Sequence, residues 1–224
     1  FPWIKIKEIY TETKGDILKD IPLHTEEGTD FFTNALVEYL DTNKADIAVH
    51  SLKDMSSDHF FGPHSFAVID RTEVRDLAIF NENCLEKLKK GIPLKIGTCS
   101  FRRETLAIAF LKKCLPNFGI EIKLEAVPIR GNIDTRLRKL STDGYDGIIL
   151  AFAGIERMLS HPYFKSQFED LLKDKKIMVL PLFECTPAPC QGALVAEAKP
   201  QNTNAAFVIE KINDKKLYQE CANE

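Results

Sequence analysis

The chain has 224 residues, 44% hydrophobic and 28% charged, enough for one large soluble domain or two smaller ones. A formal net charge of −3 excludes a global field that would draw nucleic acid or an anionic membrane. No apolar run approaches the roughly 20 residues of a membrane-spanning helix, and no signal-peptide pattern opens the sequence.

Taken in chain order, Ile4 to Ile9 alternates apolar and polar residues and predicts a strand. Lys14-Gly15-Asp16 reads as a turn, and His24 to Thr29 as a polar loop. Asp30 is placed to cap a helix over 31–40, with apolar spacing at Phe32, Leu36 and Leu40. Ala45 to Val49 predicts a buried strand that breaks abruptly into His50, Ser51, Lys53 and Asp54. Residues 56–63 read as loop and Phe66 to Ile69 as a strand. The charged stretch Asp70 to Asp76 reads as a hinge into a second unit.

Beyond it, strands are expected at 77–80, 94–97, 121–127, 145–150 and 177–180, and helices at 84–90, 101–114, 133–140 and 153–159. Thr186 to Gly192, punctuated by proline and glycine, is a second hinge candidate. A strand over 193–198 and helices over 204–212 and from 215 close the chain. Strands alternating with helices imply α/β units with mixed, mainly parallel sheets. Two polar crossovers imply two domains, with a cleft between them as the ligand site.

Six cysteines (Cys84, Cys99, Cys114, Cys185, Cys190, Cys221) form no CxxC pair and read as reduced thiols. Five histidines (His24, His50, His59, His64, His161) lack metal-ligand spacing, so no metal site is expected. Arginine is the informative residue. Only eight of the 30 basic residues are arginine, and five of those eight lie between Arg102 and Arg138. A solvated face would mix in lysine equally; the planar guanidinium suits two-point contact with carboxylates.

Two segments use those arginines. Thr98-Cys99-Ser100-Phe101-Arg102-Arg103 joins a strand to a helix, where unpaired N–H groups and the helix dipole favour anions. An ordinary N-cap would need one hydroxyl and no arginine. Arg130-Gly131-Asn132 through Arg136 repeats the arrangement, with glycine allowing close backbone approach. Arg138, two residues further, points elsewhere and is expected on the surface. Two such cradles suggest a ligand with several negative groups. Asp54, at a strand end, is then the carboxylate placed to shuttle a proton or stabilise a cation.

Joined in order, these pieces resemble the porphobilinogen deaminases, or hydroxymethylbilane synthases. The matching segments are Lys14-Gly15-Asp16 through Leu23, Asp46 to Asp54, Arg75-Asp76, Ile96 to Arg103, Ile129 to Leu137, Gly144 to Ala151 with Ala153-Gly154, and Pro189 to Ala193. The resemblance implies a cytoplasmic transferase of tetrapyrrole and haem biosynthesis. It would condense four porphobilinogens into hydroxymethylbilane with release of ammonia, on a dipyrromethane cofactor held by a cysteine thioether. It implies Asp54 as the catalytic carboxylate. Ser51, Lys53, Asp54, Thr98, Ser100, Arg102, Arg103, Arg130 and Gly131 would hold the cofactor. Arg103, Arg130, Arg136 and Gln191 would hold substrate carboxylates, with Arg75 and Asp76 near the hinges.

The implied fold has two domains like type 2 periplasmic binding proteins: 1–74 with 190–213, and 75–189. Residues 214–224 would lead into a small third α+β domain. The family's opening strand and the cofactor-bearing cysteine have no match in this sequence, so this chain alone is expected to turn over little. The loop from His24 to Asp30 lacks the family's glycine-lysine pattern. The expected partner is porphobilinogen as small-molecule substrate, with neither nucleic acid nor membrane, and the expected state is a monomer. The alternative is a non-catalytic, two-lobed polycarboxylate-binding module.

Overall fold

The computed structural model describes residues 4–10 and 33–224. They divide into two compact units. The first contains 4–10, 33–70 and Ala193–Glu224, and the second contains Arg71–Gly192. The chain passes between them at 70/71 and at 192/193.

The first unit begins with α1 (Asn34–Asp41), whose expected cap, Asp30, lies outside the described residues; Thr33 occupies the N-cap. β1 (Ala48–Ser51) follows and runs directly into a 3-10 turn, Leu52–Asp54. A short helix, α2 (Ser57–Phe60), falls where a loop was expected. Its cause is local: the Ser56 hydroxyl accepts from the His59 N–H. β2 (Ser65–Arg71) ends at the crossing into the second unit.

After the second unit come β8 (Ala193–Ala198), α8 (Thr203–Ile212) and α9 (Lys215–Ala222). The three strands form one sheet in the order β1-β8-β2, with β1 antiparallel to β8. Ala67, Ala196 and Ala198 on the sheet pack against Ala205 and Ile209 of α8. These small side chains let the helix lie close to the strands. α9 is anchored by Asp214, whose N–H donates to Val68 O at 3.0 Å while its carboxylate accepts from the Lys216 and Leu217 N–H groups. The Tyr218 ring meets Phe60 at 5.2 Å between centroids.

The second unit contains β3 (Asp76–Phe80), α3 (Cys84–Lys89), β4 (Leu94–Gly97), α4 (Phe101–Cys114), β5 (Leu124–Val127), α5 (Ile133–Thr142), β6 (Gly147–Ala151), α6 (Phe152–Ser160), α7 (Pro162–Leu172) and β7 (Lys176–Val179). Its sheet runs β5-β4-β6-β3-β7. β4 is parallel to both β5 and β6, whereas β3 is antiparallel to both β6 and β7. The mixed α/β architecture is as expected, with the parallel share confined to β5-β4-β6.

Every residue of β3 is buried. The period-two alternation therefore feeds two cores. Leu77 and Ile79 meet Leu137 and Leu140 of α5, Ile155 of α6 and Phe168 of α7. Ala78 and Phe80 meet Cys84 and Leu88 of α3 and Ala107, Ile108 and Leu111 of α4. Burying each large aliphatic side chain contributes about 1.5–3 kcal/mol. Truncating the fully buried Leu137 to alanine would cost about 2–5 kcal/mol.

Two further expectations fail. Residues 4–10 form no strand and are exposed throughout, because alternation alone supplies no neighbouring edge to pair with. α7 was not expected. Its signals are present, however: Pro162 at the first helical turn, His161 accepting from the Tyr163 N–H, and apolar residues at Phe164, Phe168, Leu171 and Leu172.

Candidate functional site

Parallel strands place their carboxyl ends on one edge of a sheet. In the second unit β4, β5 and β6 do so, and each is followed by residues leading into α4, α5 and α6. Three helix N-termini therefore gather at one sheet edge, the usual ligand edge of an α/β sheet. The two arginine segments are neighbours there, because β4 and β5 pair directly. The Thr98 N–H donates to Val127 O at 2.9 Å and the Cys99 thiol to Ile129 O at 3.1 Å.

At the first segment, the Thr98 hydroxyl accepts from the Ser100 N–H and the Ser100 hydroxyl from the Arg103 N–H, so both hydroxyls shape the helix start. The guanidiniums turn to Asp76. Arg102 Nη2 and Arg103 Nη2 each lie 2.9 Å from one of its oxygens, and Arg102 Nη1 donates to Thr186 O. Arg103 is 8% exposed and Asp76 1% exposed. Burial pushes the Asp76 carboxyl up, but Arg103, Arg102 and Gln191 outweigh it and hold it below the ordinary aspartate value.

Asp76 was expected only as part of a polar hinge. It is instead the first residue of β3, and the antiparallel pairing sets it opposite Ala151 at the end of β6. That register carries a carboxylate to the edge where the parallel strands finish. Two guanidiniums share this one carboxylate, so the group keeps an excess positive charge.

Gln191 is fully buried; its Nε2 donates to Val74 O at 2.7 Å and to Asp76 Oδ1 at 2.9 Å. The two hinge candidates thus run side by side. Gly192 (φ +86°) is held between them: its carbonyl accepts from the Thr72 N–H and from Arg157 Nη2, and a Cβ there would sit 2.7 Å from Thr72 O. Arg75 pairs with Glu73, 2.6 Å from Nη2 to oxygen.

At the second segment, Gly131 takes φ +113°, and a Cβ there would meet the Thr135 side chain at 2.7 Å. Arg136 Nε donates to Gly131 O and Lys139 Nζ to Arg130 O, so Lys139 joins a group it was not expected in. Asn132 stands at the N-cap without a side-chain bond, leaving the first-turn N–H groups of α5 without a side-chain acceptor. Arg138 is exposed, 3.9 Å from Asp134.

In the first unit, the carboxyl end of β1 presents Ser51, and the 3-10 turn after it presents Lys53 and Asp54, all three partly exposed. Leu52, buried between them, pins the turn. Of the six cysteines, Cys84, Cys185 and Cys221 are buried; burial pushes the Cys185 thiol up to about 11. Among the described residues, no helix is long and apolar enough to cross a membrane.

Comparisons with known proteins bear on the same residues. The family model described as "Porphobilinogen deaminase, dipyromethane cofactor binding domain" matches residues 3–206. The porphobilinogen deaminase of Alkaliphilus metalliredigens is 33% identical over 220 residues, covering 98% of this chain and 62% of that protein. That of Listeria monocytogenes is 35% identical over 223 residues, covering 94% and 65%. Among solved structures, a probable amino-acid ABC transporter extracellular-binding protein of Bacillus subtilis is similar at 14% identity and a TM-score of 0.41, over 86% of this chain and 73% of that one. The chain spans less than two thirds of the length of these deaminases. On a family model covering most of its residues, and on relatives above 30% identity along nearly its whole length, the chain belongs to the porphobilinogen deaminase family.

Proposed function

We propose that the protein carrying this chain condenses four porphobilinogens into hydroxymethylbilane, releasing one ammonia per unit added. The observation that supports this most is the convergence of Arg102, Arg103, Arg130 and Arg136 with three helix N-termini at one sheet edge. Such an edge suits the acetate and propionate groups of a pyrrole chain. Thr98 and Ser100 shape the first cradle, and Gly131 lets backbone N–H groups approach in the second.

The residues fit a dipyrromethane. Arg103 Nε is a buried donor without an acceptor, and Gln191 Oε1 a buried acceptor without a donor. A group carrying both carboxylates and pyrrole N–H would satisfy the two. When bound, it supplies the free pyrrole carbon from which the chain grows. Arg102, Arg103, Arg130 and the backbone at Gly131 would hold its carboxylates, with Ser51 and Lys53 on the strand-end side. Arg136 and Gln191 would serve the incoming unit.

Asp54 supplies the chemistry. The aminomethyl C–N bond of porphobilinogen breaks, ammonia leaves, and positive charge spreads over the methylene-pyrrole system to its N–H. A carboxylate beside that N–H stabilises the cation as it forms. A pyrrole α-carbon then closes the new C–C bond, and its proton leaves to a base, a second task for Asp54. The domain crossings of this enzyme, expected near 74/75 and 189/190, lie within a few residues of the unit boundaries at 70/71 and 192/193, with 214–224 leading towards a third domain.

The non-catalytic reading is not favoured, since a carboxylate binder has no use for a negative group among its ligand contacts. The test is hydroxymethylbilane formation by the full-length protein and its Asp54→Asn variant. Ammonia release at the wild-type rate by that variant would overturn the role of Asp54.

A further inference from the structure

Three of the five histidines, which lack metal-ligand spacing in the sequence, meet in the first unit. His59 lies on α2, His64 precedes β2, His50 lies on β1 and Glu197 on β8. His50 is opposite Val195 in the β1–β8 register, so it shares a sheet face with Glu197 two residues on. His59 Nε2 and His64 Nδ1 approach the same oxygen, Glu197 Oε1, at 2.8 and 2.5 Å. His50 Nε2 lies 2.8 Å from the other oxygen, Oε2, but off the line a hydrogen bond needs; Oε2 has no hydrogen-bond partner.

Glu197 is fully buried, and its strand is otherwise apolar. A buried carboxylate needs a compensating charge or a full set of donors. Here two rings crowd one oxygen while the second has no in-line donor. A divalent cation bound among these groups would supply the missing charge and engage the carboxylate.

We propose that His59 Nε2, His64 Nδ1 and the Glu197 carboxylate bind one divalent transition-metal ion, zinc by ligand preference. These three donor atoms lie within 4.8 Å of one another. Two imidazole nitrogens and one carboxylate are a common zinc set, with bonds of about 2.0–2.2 Å and a fourth position for water. Ligand atoms around such an ion stand roughly 3.3 Å apart. The present 2.5 and 2.8 Å separations open to that value by small ring movements.

His50 stands behind the carboxylate as its outer-shell positioning residue. The Phe66 ring lies against both histidines, at centroid distances of 5.7 and 6.4 Å, and keeps the site partly dry. The His59 and His64 side chains are 25% and 15% exposed, which leaves a path for the ion. Bound there, the ion ties the α2–β2 connection to β8.

The test uses the full-length protein, stripped with a chelator and dialysed against Co²⁺ or Zn²⁺. The expected result is one equivalent bound, a Co²⁺ visible spectrum of nitrogen and oxygen ligation, and a raised Tm. In the His59→Gln/His64→Gln double variant, affinity should fall by more than the ~100-fold that losing an outer-shell partner can cost. The metal-free variant should still show the unfolding transition of the metal-free wild type. Failure to bind Co²⁺, unchanged binding by the double variant, or thiolate charge-transfer bands marking a cysteine site would each overturn the proposal.

Discussion

In each unit a buried carboxylate sits among basic side chains, and the two, Asp76 and Glu197, are held differently. Asp76 is held by Arg102 and Arg103 through planar guanidinium forks. Glu197 is surrounded by His50, His59 and His64, whose ring nitrogens can also serve as metal ligands. Both carboxyls are pushed up by burial and then held below their ordinary values by those partners. The arginine group therefore supplies a fixed field at a ligand edge. The histidine group is a set of donors that a cation can organise. Asp54, only partly exposed and on a turn after a strand, belongs to neither arrangement.

The largest expected effect separates Asp54 from the two buried carboxylates. Asp54→Asn should lower hydroxymethylbilane formation by about 10²–10⁴-fold, the usual worth of a general acid–base group, while urea unfolding stays unchanged. Asp76→Ala should act on stability instead. It leaves Arg103 buried with no counter-charge and should cost about 3–5 kcal/mol in urea unfolding. Equal loss of turnover and stability in both variants would erase the distinction.

A smaller effect is pH-linked. A carboxyl whose folded pKa lies below its unfolded value contributes stability that is fully present above the unfolded value, about 3.9 for aspartate. That stability is lost as pH falls through the folded value. Urea unfolding below about pH 4 should therefore show a decline that Asp76→Asn reduces. A decline of the same size in that variant would show that Asp76 is not its source. The smallest effect is Arg138→Gln, at an exposed pair 3.9 Å from Asp134, which should change stability by less than about 0.5 kcal/mol. Against it, Arg102→Gln should weaken retention of the pyrrole chain, as read by native mass of the full-length protein during turnover.

Much of the second unit was legible in advance because its signals are local. α4 falls at Phe101–Cys114 as the apolar spacing and the Ser100 cap require, and in the first unit β8 likewise falls at Ala193–Ala198. Both arginine segments lie between a strand and a helix as expected, because that placement depends on neighbouring residues alone. Asp54 sits just beyond a strand for the same reason.

What the sequence by itself determined is most of the elements, the grouping of arginines at two strand-to-helix junctions, and the carboxylate after β1. Each of these follows from periodicity, capping and residue chemistry over a few neighbouring positions. Only the tertiary structure decided that β3 runs antiparallel, which brings Asp76 to the guanidiniums, and that β8 pairs with β1, which brings Glu197 to His50, His59 and His64. Glu197 stands 133 residues from the nearest of those histidines in sequence. No local pattern encodes such a meeting; it is set by which strand edges pair, and that depends on packing between residues far apart in the sequence.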